Sequence, residues 1–277
     1  MKIQSGQTAL LTGASGGLGM FMARALANRG VQLALTAFPG TALEEVRAES
    51  EKLGVKARVF ALDLRAPEQR TQLIADVRRE FGSIDILVNN AGVEFTSSYG
   101  DLTVENICDT IAVNLEAPMV LARLVLPEML SRRQGHIVNI SSLAGKSGPA
   151  YQEPYAATKA GLIGFTASFR GTHRGSGVSA SAIVPGFVEA GIYSQLKKRS
   201  GMAAPAMLGT SRPEKVAQAV VRAIEQDLPE VIINPLPVRP LLAFNALFPR
   251  AGEWLTRQTG ANDFFGKVVE KQKREKS

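Results

Sequence analysis

Thr8-Ala-Leu-Leu-Thr12, then Gly13-Ala-Ser15-Gly16-Gly17-Leu18-Gly19, then a stretch from Met20 to Arg29 closed by Gly30: these residues decide the fold. Thr8 to Leu11 is a short apolar run of strand type, Thr12 opens the glycine turn, and the apolar spacing from Met20 onward is that of a helix. Between them the glycines fall as G-x-x-x-G-x-G. Strand, glycine turn and helix in that order cradle a pyrophosphate. Glycines let the backbone approach the phosphates, and the helix N-terminus offers free N–H groups at the positive end of its dipole. The spacing differs from the G-x-G-x-x-G of the common dinucleotide fingerprint. It is therefore the position between a first strand and a first helix, more than the glycines, that favours a nucleotide site over a merely tight turn.

Outward from this unit the chain keeps alternating. Gln32 to Ala37 reads as a second strand, and Thr41-Ala-Leu-Glu44 as a capping box opening a helix to Leu53, with Gly54 beyond it. Lys56 to Leu62 is a third strand ending at Asp63, and Pro67 opens a helix that runs to Phe81 and stops at Gly82. Ile84 to Val88 is a fourth strand, followed by Asn89-Asn90-Ala91-Gly92. Helical patterns fill Val104 to Asn114 and Leu115 to Arg132, His136 to Ile140 reads as a buried strand, and Tyr155 to His173 as a helix. A sixth strand ends at Val184-Pro185-Gly186, an amphipathic helix spans Pro213 to Gln226, and Val231 to Ile233 closes the sheet. Such βα alternation predicts an α/β fold, a Rossmann-type doubly wound parallel sheet of about seven strands with helices on both faces. No repeat or linker interrupts it. Residues 1–233 are expected to form one dinucleotide-binding and catalytic domain, and residues 234–277 a C-terminal extension with an apolar segment and a basic tail.

Composition narrows the function classes. A chain of 277 residues, 45% hydrophobic and 21% charged, is typical of a globular protein with a full core. Its one cysteine, Cys108, has no partner for an intramolecular disulfide and no His/Cys cluster around it, which fits a reducing cytoplasm. The residues from Met1 to Gln7 lack the apolar core of a secretory signal, and no uninterrupted apolar run approaches the ~20 residues of a bilayer span. The net charge of +7 suits an acidic ligand: a nucleotide, an acidic carrier protein or an anionic surface. No basic stretch is interleaved with aromatics before the tail, so nucleic acid is not expected. With only His136 and His173, and no Ser on a strand-to-helix elbow, a Ser-His-Asp hydrolase is poorly supported, and no residues have metal-site spacing.

The chemistry is carried by Asn139 to Lys159. Tyr155 and Lys159 are four apart, so on a helix they share a face, and a nearby ammonium favours the phenolate. That would bring the phenol toward the working pH, as a general acid/base needs. Ser141 and Ser142 follow a buried strand, at the end where open α/β sheets bind ligands. Hydroxyl, phenol and ammonium together can polarise a carbonyl and exchange a proton with it. Each element recurs by chance elsewhere, so the rest of the chain has to support the set.

It does, because the chain resembles the classical short-chain dehydrogenases/reductases from Thr8 to Ile233. Thr12-Gly13-x-x-x-Gly17-x-Gly19, Asp63, Asn89-Asn90-Ala91-Gly92, Asn114, Ser142, Tyr155-x-x-x-Lys159 and Pro185-Gly186 stand in that family's order. The resemblance implies that Tyr155 gives or takes the hydroxyl proton and that Lys159 lowers its pKa and bonds the nicotinamide ribose. Ser142 would orient the substrate oxygen, and Asn114 would hold a relay water. Gly13, Ser15, Gly16, Gly17, Leu18 and Gly19 would take the pyrophosphate, Asp63 and Leu64 the adenine, and Ala37 and Phe38 the adenosine ribose. The Asn89–Gly92 turn, with Asn90, Ala91 and Gly92, would line the adenosine side. Pro185, Gly186 and Val188 would lie along the nicotinamide.

Two departures from the family pattern bear on the cofactor. NAD-preferring members carry an acid where this chain has Ala37, and NADP-preferring members often have a base where it has Phe38 or Gly16. With no carboxylate to repel a phosphate and a basic chain, NADP(H) is slightly favoured over NAD(H). Where the family often has a Thr that bonds the carboxamide, this chain has Ala190, which leaves that task to backbone near Val188.

The reading is an NAD(P)(H)-dependent oxidoreductase interconverting a ketone and a secondary alcohol. The alternative is a nucleotide-binding redox sensor or assembly protein without turnover. Glu189 to Thr210 occupies the family's substrate loop, and Met202, Met207 and Leu208 suggest an adaptable apolar pocket for lipid-, steroid- or acyl-like molecules. A homodimer or homotetramer is expected. The extension, with apolar residues from 241 to 249, Trp254 and a lysine-rich end, has three readings: a cover for the cleft or a second subunit, a peripheral membrane contact, or a core helix with a solvated tail.

Overall fold

The computed structural model describes residues 1–206 and 208–276, with Lys276 described by its main chain only. Met207 lies outside the described residues. Seven parallel strands form one sheet in the order β3-β2-β1-β4-β5-β6-β7. They are β1 (Thr8–Thr12), β2 (Gln32–Ala37), β3 (Ala57–Ala61), β4 (Ile86–Asn89), β5 (Gly135–Ile140), β6 (Val178–Pro185) and β7 (Glu230–Ile233). The helices in chain order are α1 (Gly19–Ala27), α2 (Leu43–Lys52), α3 (Pro67–Phe81), α4 (Val104–Ile111), α5 (Ala117–Ser131), α6 (Ala144–Ser147), α7 (Glu153–Thr172), α8 (Gly191–Ser200) and α9 (Pro213–Gln226). The extension adds α10 (Arg239–Leu247), α11 (Pro249–Gln258) and α12 (Ala261–Lys276).

The period of two along the strands builds the layers. On β1, Ala9 and Leu11 join a cluster with Met22 and Leu26 of α1 and Val220 of α9, while Leu10 between them joins Ile74 and Val77 of α3 and Leu121 of α5 on the other face. β2 and β4 repeat the pattern, with Leu33, Leu35, Ile86 and Val88 on the first face and Ala34 and Leu87 on the second. Both faces are therefore dry, as a parallel sheet requires. Each fully buried leucine contributes roughly 1.5–3 kcal/mol.

Four local readings need correction. Thr41 caps no helix: its hydroxyl donates backward to the Phe38 carbonyl at 2.8 Å, and α2 starts behind Ala42 without a side-chain cap. The turn's own hydrogen bond outcompetes the capping box for that hydroxyl. The edge strand β3 and the strand β4 are shorter than the apolar runs that predicted them. The helical patterns on either side of Asn114 join through a wide turn, Ala112–Glu116, in which the Ala117 N–H reaches back five residues to the Ala112 carbonyl. Val104–Ser131 is consequently one rod of 28 residues, long and apolar enough by length and composition to cross a membrane, a length that counting uninterrupted apolar runs misses. Here it is a core helix, because Ala117, Leu121, Ala122, Val125 and Met129 are buried in the second layer.

Sheet order turns back at β1, since β2 lies on one side of it and β4 on the other. A crevice opens at the carboxyl ends of the strands at such a reversal. Each βα turn that carried a motif in the sequence ends there.

Candidate active site

A cleft of about 800 Å³ runs across the carboxyl ends of the strands, within the range of small-molecule sites. Gly13, Ser15, Gly16, Gly17 and Leu18 line one end, with Ala37, Phe38, Asp63 and Leu64 beyond them. Asn90, Ala91, Gly92, Ser142, Tyr155, Lys159, Pro185, Gly186 and Val188 line its middle. Gly19 and Asn114 are not in the lining; both stand behind it.

The turn after β1 is held by the turn after β4. Thr12 Oγ1 accepts from the N–H groups of Asn90 and Ala91, each at 3.0 Å, and donates to the Val88 carbonyl at 3.3 Å. Asn90 Nδ2 donates to the carbonyls of Thr12 and Gly13 at 3.0 and 2.9 Å. Gly13 has φ 63°, and a Cβ there would come within 2.8 Å of the Ala91 Cα, so the approach of the two turns needs a glycine. A Cβ on Gly17 would strike the main chain of Gly191 at the start of α8. α1 begins without a side-chain cap and without an acid in its first turn, which leaves its N–H groups and dipole for an anion. This cradle of bare backbone fits a dinucleotide pyrophosphate. Asn89 does not face the cleft. It is buried and donates to Asn139 Oδ1 at 2.9 Å, and Asn139 in turn donates to Thr166 Oγ1 at 2.9 Å.

At the Phe38 end a residue missed in the sequence takes part. The Arg65 guanidinium lies 5.8 Å from the centroid of the Phe38 ring and forms ion pairs with Asp63 at 2.7 Å and Asp109 at 2.8 Å. Arg65 holds the Asp63 carboxyl below its usual range, chiefly through their hydrogen bonds. Asp63, expected to meet adenine directly, is thus tied to Arg65 first. The signal in the sequence was only a basic residue two places after Asp63.

The middle of the cleft is built by β5 and α7. Lys159 is buried, and its Nζ donates to the Ile140 carbonyl at 2.9 Å. Burial lowers its pKa to about 8. Ser141 is spent on structure, its hydroxyl donating to the Lys159 carbonyl at 2.8 Å. Ser142 accepts from the Ala144 N–H at 3.1 Å and is hydrogen-bonded to Tyr155. The expected lowering of the Tyr155 pKa does not hold in this arrangement. Burial pushes the phenol up, Glu94's charge pushes in the same direction, and the Ser142 hydrogen bond opposes both. Lys159 Nζ stands 5.5 Å from the Tyr155 ring centroid, and the desolvation of the phenol itself is the larger effect. Asn114 is fully buried; Oδ1 accepts from the Val93 N–H and Nδ2 donates to the Val93 carbonyl, both at 2.9 Å.

The far end is apolar and partly made by the extension. Phe187, Leu196 and Leu208 meet Leu241 and Leu242 of α10 and Phe265 of α12 there. Met202, expected in this lining, packs instead into the cluster of Tyr193, Leu196, Phe264, Phe265 and Val268 that joins α8 to α12. Glu94 and Gln152 also line the cleft, and neither was singled out in the sequence. Gln152 Nε2 donates to Glu94 Oε1 at 3.1 Å, Thr96 donates to the same oxygen, and burial raises the Glu94 pKa. A carboxylate two places beyond Gly92 was the available hint.

Comparison with known proteins agrees with this geometry. The sequence model of the family described as short chain dehydrogenase matches residues 7–201. A ketoacyl reductase, HetN, of Nostoc sp. is 36% identical over 275 residues, covering 98% of this chain and 95% of its own. The 3-oxoacyl-[acyl-carrier-protein] reductase FabG of Vibrio cholerae is 36% identical over 78% of this chain and 88% of its own. Among solved structures, an actinorhodin polyketide ketoreductase with NADPH superposes with a TM-score of 0.77 at 28% identity, over 84% of this chain and 97% of the other. A metagenomic short-chain oxidoreductase in complex with NADP gives 0.72 at 32% identity, over 85% of this chain and all of the other.

Proposed function

The chain belongs to the short-chain dehydrogenase family and is an NAD(P)-dependent oxidoreductase of ketones and alcohols, and on that footing we propose that it reduces ketones borne on acyl or other lipid-like chains, with NADPH preferred. The observation that carries the reading is the position of Ser142 and Tyr155 midway along a cleft with a phosphate cradle at one end and a wall of Phe187, Leu196, Leu241, Leu242 and Phe265 at the other. The relatives named as ketoacyl reductases support the acyl chain.

The nicotinamide supplies the hydride when bound. Gly13 to Gly19 would receive the pyrophosphate on bare backbone, Asp63 with Arg65 and Phe38 the adenosine, and Lys159 the nicotinamide ribose. The Val188 N–H carries no hydrogen bond among the described residues, so it is free for the carboxamide that Ala190 cannot reach with a side chain. Ser142 would hold the substrate oxygen, and Tyr155, kept protonated by burial, would donate its proton to that oxygen in the reduction direction. The raised pKa keeps the phenol in its proton-bearing form at neutral pH and makes it a weaker donor than one tuned to the working pH. Asn114's amide is committed to Val93, so a relay water would be held by main-chain atoms of the wide turn around it. Preference for NADPH is supported by Ala37, which offers no carboxylate to repel a phosphate, and by the Arg65 cation beside Phe38.

An acidic carrier protein would meet Lys198 and Arg199, exposed on α8, of which Arg199 also lines the cleft. The test is consumption of NADPH and of NADH with 3-ketoacyl thioesters of increasing chain length, beside a steroid ketone and a keto sugar. Rates that rise with chain length are expected. Turnover of the sugar alone would refute the lipid-like reading.

A further inference from the structure

α10 and α11 form a helical hairpin closed by Asn245 Nδ2 donating to Thr256 Oγ1 at 2.9 Å, with Gly252 so close that a Cβ would lie 2.6 Å from the Asn245 Cα. The hairpin has two apolar sides. Leu241, Leu242 and Asn245 line the cleft, whereas Phe244, Leu247 and Phe248, at helical spacing, face outward with Leu247 73% and Phe248 56% exposed. Trp254, 64% exposed, and Leu255 add to the outer side from α11. A patch of this density is not the scattered exposure of an ordinary surface.

Its net charge is positive. Arg239 and Arg250 are exposed and make no ion pair among the described residues, and Arg250, Trp254 and Arg257 recur at helical spacing along α11. Arg257 pairs with Glu253, the sole acid in residues 234–260. Apolar side chains bordered by arginines, with a tryptophan among them, match the boundary of an anionic lipid layer. A second copy is a poorer occupant, because self-pairing about a two-fold axis would bring Arg239 and Arg250 of both copies together.

We propose that the α10–α11 hairpin docks on an anionic membrane surface, with Leu247, Phe248 and Trp254 in the lipid boundary and Arg239 and Arg250 on the headgroups. The same helix then separates the bilayer from the cleft, so a lipid-borne ketone has a short route to the apolar end. That last step rests on the proposed substrate class; the docking does not.

Trp254 is the single tryptophan of the chain, so its fluorescence reads the hairpin alone. The full-length protein is titrated with phosphatidylglycerol/phosphatidylcholine vesicles and with phosphatidylcholine alone, and vesicle flotation is run in parallel. The expected result is a saturable shift of emission to shorter wavelength, with flotation, for the anionic vesicles only. Leu247→Ser/Phe248→Ser and Arg239→Glu/Arg250→Glu should each abolish both signals while leaving nucleotide binding intact. Emission unchanged by anionic vesicles, or equal binding to neutral ones, would overturn the proposal. So would a lipid-free shift that grows with protein concentration alongside a doubled mass in light scattering, which would assign the face to a second copy. No substrate enters the assay, so a failed functional reading leaves its outcome untouched.

Discussion

Asn114 grips Val93 by both atoms of its amide, accepting from the Val93 N–H and donating to the Val93 carbonyl at 2.9 Å each. The clamp fixes the segment that follows Gly92 at the floor of the cleft, and Nδ2 is also 3.4 Å from Thr158 Oγ1 on α7. Asn114→Ala leaves the part-buried N–H and carbonyl of Val93 without this partner, at a cost toward the lower end of about 1–3 kcal/mol. We predict a lower thermal midpoint together with a fall in kcat/KM of at least about tenfold, since misplaced groups lose rate steeply. Unchanged kcat/KM in a destabilised Asn114→Ala protein would show that the clamp serves the fold only.

Tyr155→Phe is predicted to lower turnover by about 100- to 10,000-fold, the usual worth of a positioned acid, while nucleotide titration stays close to wild type. The ring keeps its packing and loses only the proton donor. Lys159→Ala should damage both quantities, since its ammonium bridges the Ile140 carbonyl and the expected ribose site. Wild-type rates in Tyr155→Phe would remove it from the mechanism.

What the sequence discloses and what it hides divide along the range of the interactions. The glycine turn, the Tyr155–Lys159 pair and the Pro67 and Pro213 helix starts are local patterns, and the structure places them where the spacing predicts. Arg65 over Phe38 is not local: it requires β3 to pair with β2 in the register that sets Ala37 beside Ala61, which delivers the two following loops to one spot. Asn114 shows the same limit. Periodicity finds helix on both sides of it, but the wide turn that aims its amide at Val93 leaves no mark in the pattern of apolar residues. The sign of the Tyr155 shift is not legible in the sequence, because helical spacing reports proximity to Lys159 and says nothing of desolvation.

His136 gives an acid-sensitive core. It is fully buried on β5, its Nε2 is 2.9 Å from Ser181 Oγ, and that hydroxyl donates to the Leu228 carbonyl, so Nε2 carries the proton and Nδ1 has no partner among the described residues. Burial lowers its pKa from 6.5 to about 3. The folded state therefore holds the neutral ring while the unfolded state takes up a proton, and stability present above pH 6.5 is lost as pH falls toward 3. Urea midpoints at pH 7 and pH 5 should differ more in the wild type than in His136→Asn. Equal differences would assign acid sensitivity to other groups.

Cofactor choice should respond from two sides. Ala37→Asp places a carboxylate where a 2′-phosphate would lie and is expected to shift preference toward NADH. Phe38→Arg should tighten NADPH through a charge-assisted contact. Arg65→Met should weaken NADPH by about three- to tenfold and NADH little, because an exposed, already paired cation adds only a modest Coulomb term. Titration of both nucleotides against the four proteins is the measurement. Equal losses for NADPH and NADH in Arg65→Met would make Arg65 a support for Asp63 and nothing more.

Glu94 should set the pH range of turnover. Its Oε1 accepts from Gln152 and Thr96, Oε2 has no partner among the described residues, and burial raises its pKa while Arg199 lowers it. Its negative charge is one of the two influences that raise the Tyr155 phenol. Once Glu94 ionises, Tyr155 becomes harder to deprotonate, so the reducing direction keeps its proton donor to higher pH and the oxidising direction, which needs the phenolate, is held back. Glu94→Gln keeps an acceptor for Gln152 and Thr96 and removes the charge. Its pH profile should move to lower pH in both directions, by roughly half a unit to one unit for a charge at this remove. Ketone reduction would then fail earlier on the alkaline side, and alcohol oxidation would begin at lower pH. The two limbs are read with saturating nucleotide so that binding does not enter, and an alkaline shift, or a loss of rate with no shift at all, would show that Glu94 acts on Tyr155 through packing alone.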